Sequence, residues 1–260
     1  MESFSDYWSR PGTNWSRLKH MSDSPLHYHY HLTHPIEDTT RLLLGRAVHT
    51  AVLEPDAFPL AYAVYDGARR AGKDWETFSA ANASKSILKA SEYQLCLDVR
   101  DAVRGNPRAV ELLSGDSEVT RTWTDDSTGI ACKARLDHLS DALVDLKTTA
   151  SIEQHRFEAT AARMVYHGQL AYYRRSIGDA PPVYMIAVEI DPPHDVAVYR
   201  VDEEALGYGD MLVAGLLRRV QECTAANEWP GRYEEEQELY LPAWLGQAAE
   251  ETSSGWGALA

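Results

Sequence analysis

At Ser117 the hydrophobic pattern of this chain changes period, and that switch decides its fold class. EVTRTWT, the turn-prone DDSTG, IACKARLDHL, a short SDA and LVDLKT follow one another, each run brief and alternating as hairpin strands are. A three-strand antiparallel meander is the expectation. A helix from about Ile152 to Ser176 comes next, then VYMIAVEI and VAVYRV as strands separated by DPPH, then a helix from about Asp202 to Asn227. Before the switch the period is helical. TTRLLLGRAVHTAVLEP carries a broad apolar stripe that ends before Pro55 and includes His49, and residues 83–113 keep helical spacing until Gly105 and Pro107 break it. The opening 40 residues, aromatic and histidine-rich and divided by Pro11, Pro25 and Pro35, read as short helices; their histidines at 27, 29 and 31 read as an irregular surface run.

Helices followed by interleaved strands and helices predict an α/β fold, a mixed central sheet flanked by helices. With 44% hydrophobic residues in 260, the chain has material for one substantial core. The expected organisation is a single domain over 1–232, with a helical N-terminal part (1–113) and a sheet-and-helix part (114–232). An acidic, partly flexible tail follows (233–260), with Trp244 its candidate for docking back. No run reaches the roughly 20 apolar residues of a membrane span, and MESFSDYWSRPG lacks a signal-peptide pattern, so a cytoplasmic location is expected.

The chemistry lies in the meander. Along Leu143-Val144-Asp145-Leu146-Lys147 the two-residue strand period puts Asp145 and Lys147 on one face, and antiparallel pairing can bring Asp137 of the preceding strand toward Asp145. Facing carboxylates repel unless a cation lies between them, and hard oxygen ligands suit Mg²⁺, with Mn²⁺ as a substitute. The Leu146 carbonyl can complete part of the shell, while Lys147 is placed to hold or help deprotonate an attacking water. Taken alone, Asp145 and Lys147 would be an edge-strand ion pair worth about 0–1 kcal/mol. Gly45 and His49 upstream, and Gln169 and Tyr173 one helical turn apart downstream, change that reading.

The ordered set GxxxH, D, DxK and QxxxY resembles the RecB-like branch of PD-(D/E)xK nucleases, whose core is restriction-endonuclease-like. Within that branch the chain is similar to RecE-like (exonuclease VIII type) phage and prophage exonucleases through SPLHYHY, LLLGRAVHTAVLEPDAF, TGIACKARLDHL and DLKTTASIEQHRFEATAARMVYHGQLAYY, over residues 15 to 226. The resemblance implies that His49, Asp137, Asp145 and the Leu146 carbonyl are metal ligands and that Lys147 is the catalytic lysine. It also implies that Gln169 and Tyr173 organise the site and that Glu118 is a further acidic residue, serving a second metal. The implied activity is processive 5′ to 3′ digestion of linear double-stranded DNA, leaving 3′ single-stranded tails for an annealing protein in recombination. The implied assembly is a homo-oligomeric ring, trimer or tetramer.

Net charge −14 is an objection to a polyanionic substrate, but residues 181–260 hold 4 basic against 15 acidic side chains and the rest is nearly neutral. Arg69, Arg70, Lys73, Lys85, Lys89, Arg100, Arg104 and Arg108 form a cation-bearing stretch that either tracks DNA or is a solvated face; Arg163, His167, Arg174 and Arg175 pose the same choice. Two alternatives stand beside the exonuclease reading. One is a CRISPR-associated or helicase-coupled RecB-like nuclease, disfavoured because three cysteines cannot supply a four-thiolate iron-sulfur cluster. The other is a catalytically silent PD-(D/E)xK scaffold that binds DNA.

Overall fold

The computed structural model describes residues 4–34 and 39–242. Within them the N-terminal part contributes α1 (Phe4–Ser9), α2 (Trp15–Leu18), α3 (Pro25–Thr33), α4 (Thr40–Leu53), α5 (Phe58–Ala61), β1 (Tyr62–Tyr65), α6 (Lys73–Ala81), β2 (Ser86–Lys89), α7 (Ala90–Gly105) and α8 (Pro107–Leu112). The sheet part contributes β3 (Asp116–Thr124), β4 (Ala131–Leu139), β5 (Leu143–Thr149), α9 (Gln154–Arg163), α10 (Tyr166–Arg174), β6 (Val183–Glu189), β7 (Val196–Arg200) and α11 (Glu203–Ala226).

Strands β3 to β7 form one five-stranded sheet in chain order, antiparallel except for β5 and β6, which run parallel. The α/β expectation, a mixed sheet flanked by helices, is met. The parallel pair exists because α9 and α10 carry the chain back to the end of the sheet where β5 began. Strand β5 reads Leu143, Val144, Asp145, Leu146, all buried, as a strand covered on both faces should. Val144 and Leu146 pack with Val48 and Val52 of α4 and Val99 and Val103 of α7. Leu143 packs on the other side with Tyr172 of α10 and Leu217 of α11. Asp145, two residues from Leu143, therefore lies within a buried apolar run, where a carboxylate is costly without a partner.

Local chemistry explains the element ends. Thr39 caps α4 by accepting from the Leu42 N–H, and α4 stops at Glu54, ahead of Pro55. The β3–β4 turn is tied by Asp125, whose carboxylate accepts from the Ser127 hydroxyl and from the amide and hydroxyl of Thr128, with Gly129 in the left-handed region at φ +70°. Helices α10 and α11 approach so closely that a Cβ on Gly209 would lie 2.2 Å from the His167 carbonyl oxygen.

Two departures from the sequence expectations have clear causes. The helix expected over 152–176 is two helices: Val165 sits at φ +56°, a left-handed conformation that a β-branched residue adopts at a cost of roughly 1–2 kcal/mol. Residues 83–89, read as helical, include β2, which pairs parallel with β1. Apolar spacing over four residues cannot separate the two states.

The N-terminal segment is part of the sheet layer. Thr13 bridges to Cys132 in parallel fashion, donating to the Ala131 carbonyl and accepting from the Lys133 N–H. Lys133 is fully buried, and its ammonium donates to the carbonyls of Tyr7, Trp8 and Arg10 at 3.1, 3.1 and 2.6 Å. The rings of Tyr7 and Trp8 lie 5.1 and 5.7 Å from it. At the other end, residues 233–242 of the acidic tail are exposed and carry no helix or strand; the rest of the tail, with Trp244, lies outside the described residues. Among the described residues no helix is long and apolar enough to cross a membrane.

Candidate metal centre

The site forms where β4 and β5 separate. Their register is two residues long, His138 with Val144 and Leu139 with Leu143, and beyond it the strands diverge. Asp137, the first β4 residue past the split, fills the gap: its Oδ2 accepts the Leu146 N–H at 2.9 Å. Leu146 is thus tied to the site through its amide. From the opposite layer α4 delivers His49, whose Nδ1 lies 3.5 Å from the same Asp137 oxygen. Glu118 arrives from β3, between the paired residues Ser117–His138 and Val119–Leu136. It does so with φ at +54°, a left-handed kink inside a strand that costs roughly 1–2 kcal/mol for a residue with a side chain.

His49, Glu118 and Asp137 each offer one ligand atom, and these three atoms lie within 4.8 Å of one another. Asp145 is not part of that trio. Its Oδ2 lies 2.5 Å from the Lys147 ammonium, but neither oxygen receives a well-directed hydrogen bond from the described residues. A buried carboxylate lacking donors, beside an imidazole and two more carboxylates, is a donor set that accepts a divalent cation; hard oxygen ligands with one imidazole fit Mg²⁺ or Mn²⁺.

The electrostatics agree. Burial, then the Asp137 charge, pushes Glu118 up to about 7, although Arg135 and His49 act against this. Burial, and in smaller measure Asp137, pushes Asp145 up to about 6 against the pull of Lys147. Burial opposes charge on His49 and on Lys147, but the neighbouring carboxylates outweigh it and hold both above their ordinary values. Asp137 is held below its ordinary value: burial alone would raise it, and His49, Lys147 and the Leu146 amide prevail.

Gln169 and Tyr173 meet on one face of α10, the Gln169 amide donating to the Tyr173 hydroxyl at 2.9 Å. Burial and then the charges of Asp137 and Asp145 hold the Tyr173 pKa well above its usual value, so that hydroxyl keeps its proton beside the carboxylates. Two neighbours escaped the sequence reading. Arg135, two residues before Asp137 on β4, pairs with Glu118 at 2.5 Å through its Nε. Tyr166, three residues before Gln169, places its ring 5.0 Å from the Lys147 ammonium. Their signal was strand and helix spacing from residues already singled out, but arginines and tyrosines at such spacing are common and carry no chemistry by themselves.

Many of the cations considered for tracking DNA are committed locally. Arg70 pairs with Glu92, Arg100 with Asp101, Arg108 with Glu111, Arg174 with Glu203, and Arg175 with Asp125 and Asp210. Arg104 and Lys85 donate to the carbonyls of Val52 and Pro59. The histidines of α3 stack rather than cluster for a metal: His31 on His20 at 4.0 Å and His29 on Trp229 at 4.7 Å between ring centres.

Residues 14–240 match the sequence family described as a PDDEXK-like domain of unknown function (DUF3799). The fold is similar to a crystal structure from Eubacterium rectale, provisionally described as an exonuclease, with a TM-score of 0.65 and 14% identity, covering 95% of this chain and 98% of that one. At that identity the likeness is one of fold. No functionally curated protein matches the sequence.

Proposed function

We infer, from the premise that the chain belongs to the DUF3799 family of PDDEXK-like domains, that it is a divalent-metal-dependent deoxyribonuclease. The observation that carries this reading is the trio of His49, Glu118 and Asp137 set beside the buried Asp145–Lys147 pair. The residues that would hold the ion are His49, Asp137 and Asp145 with the Leu146 carbonyl, and Glu118 for a second ion. When bound, the cation supplies Lewis-acid polarisation of the scissile phosphate and offsets its charge.

The chain's own residues do the rest. Lys147, held above its ordinary pKa by Asp145 and Asp137 although burial opposes it, enters as an ammonium. It therefore orients the attacking water and offsets charge building on phosphate oxygens, the stronger for being partly desolvated. The Tyr166 ring, 5.0 Å from the ammonium, and the Asp145 carboxylate, 2.5 Å from it, hold it in place. Gln169, steadied by Tyr173, presents its remaining polar atoms to a ligand carboxylate or a substrate phosphate.

The finer reading is RecE-like: exonucleolytic 5′ to 3′ digestion of linear duplex DNA, processive, leaving 3′ tails for a single-strand annealing partner, by a homo-oligomeric ring. The motif order from His49 to Tyr173 supports it, as does the description of the Eubacterium rectale protein as an exonuclease. Linear duplex labelled separately at each 5′ and 3′ end, beside a closed circle, tests it. Early Mg²⁺-dependent release of 5′ label with the circle intact is expected; a nicked circle would overturn the exonuclease reading.

A further inference from the structure

Beside the metal centre lies a cleft of about 250 Å³ between the first turns of α4 and the end of β5, lined by Arg41, Leu44, Gly45, Thr148, Thr149 and Ile190 among others. Gly45 and His49 are one helical turn apart and so share a face of α4, and the two threonines directly follow Lys147. The cleft therefore lies one helical turn along α4 from His49 and next to Lys147 along β5. Among the described residues its lining contains no acidic side chain, in a protein of net charge −14, and no carboxylate pairs with Arg41. A cation, two hydroxyl side chains and small or apolar walls suit an extended anionic chain.

Gly45 is the decisive residue. Glycine inside a helix costs roughly 1 kcal/mol relative to alanine, and it usually persists where something packs against it, as at Gly209. At Gly45 a Cβ would meet nothing within 4 Å. The same holds for the exposed helical Gly207 and Gly215, so what sets Gly45 apart is its half-buried place in the cleft lining, where the missing side chain leaves that space open.

We propose, on the nuclease reading above, that this cleft holds the sugar–phosphate backbone of the strand being cut, with Gly45 as the specificity-determining residue that leaves it room and Arg41 facing a phosphate. The strand then runs along α4 past His49, its phosphates entering the centre in register with Lys147.

Gly45→Leu tests this, because leucine is a strong helix former and the space is free. Its melting temperature should equal or exceed that of the wild type, while KM for duplex DNA in Mg²⁺ rises tenfold or more. Hydrolysis of bis(p-nitrophenyl) phosphate, which has no chain on either side of the reacting diester, should fall far less. Arg41→Gln should flatten the dependence of log Kd for DNA, measured in Ca²⁺, on log salt by about one phosphate contact. A wild-type KM for DNA in Gly45→Leu overturns the proposal. So does an equal loss on both substrates, which would place the effect at the reacting centre. A wild-type protein that cleaves neither substrate removes the nuclease reading itself, and this inference with it.

Discussion

Replacing Lys147 with alanine is expected to lower kcat on DNA about 10²- to 10⁴-fold, roughly 3–5 kcal/mol of transition-state stabilisation, without weakening the binding of Mn²⁺. The two readouts move apart because Lys147 has two electrostatic roles. It is the ion-pair partner of Asp145, a carboxylate with no well-directed hydrogen bond among the described residues. Its removal leaves that charge to be met by a proton or a cation. A bound Mn²⁺ meets it, and loss of a like charge beside the site favours the ion, so affinity should hold or rise. Turnover cannot be recovered that way, since a resident cation does not replace an ammonium donor aimed at the attacking water. Rapid-quench kinetics with Mn²⁺ titration of the same variant reads both. Wild-type kcat would remove Lys147 from the chemistry, and a large loss of Mn²⁺ affinity would make it a structural prop.

The second large effect is on stability. Lys133→Met keeps the length and most of the packing of a fully buried side chain but removes the donor to the Tyr7, Trp8 and Arg10 carbonyls and the cation between two rings. Charged hydrogen bonds contribute about 1.5–3 kcal/mol each and aromatic contacts somewhat less, while methionine escapes the cost of desolvating an ammonium. A net loss of about 3 kcal/mol is expected, hence a fall of roughly 6–12 °C in melting temperature for a chain of this size. Protease sensitivity should rise first before Thr13, because α1 loses its clasp. A variant as stable as the wild type would show that desolvation of Lys133 outweighs its contacts.

The fold was legible where periodicity was long enough to be unambiguous: the alternation through β3, β4 and β5, the pair β6 and β7, and the stripe of α4. It was illegible where four residues had to decide, as in β2, and where a helix bends at Val165 without proline or glycine to mark the place. The same boundary runs through the site. Asp137, Asp145 and Lys147 could be placed on neighbouring strands by their spacing, and the Asp145–Lys147 contact follows directly from the two-residue period. The divergence of β4 from β5 after two paired residues, which turns Asp137 toward His49 and Glu118, depends on sheet twist and packing that spacing does not encode. The left-handed Glu118 is likewise unmarked, since no glycine stands there; its placement comes from the tertiary structure that holds it against strain.

Titration calorimetry with Mn²⁺, in buffers of different ionisation enthalpy at pH 5.5 and 7.5, tests most directly whether the centre of His49, Glu118, Asp137 and Asp145 is a cation site. Glu118 and Asp145 are raised to about 7 and about 6, and His49 is raised as well, so at the lower pH these ligands hold protons that the ion must displace. Binding should release protons, and affinity should strengthen as pH rises through that window. Asp137→Ala, which removes the carboxylate next to His49, should abolish both. Binding that is absent in the wild type, or unchanged in Asp137→Ala, would contradict the account.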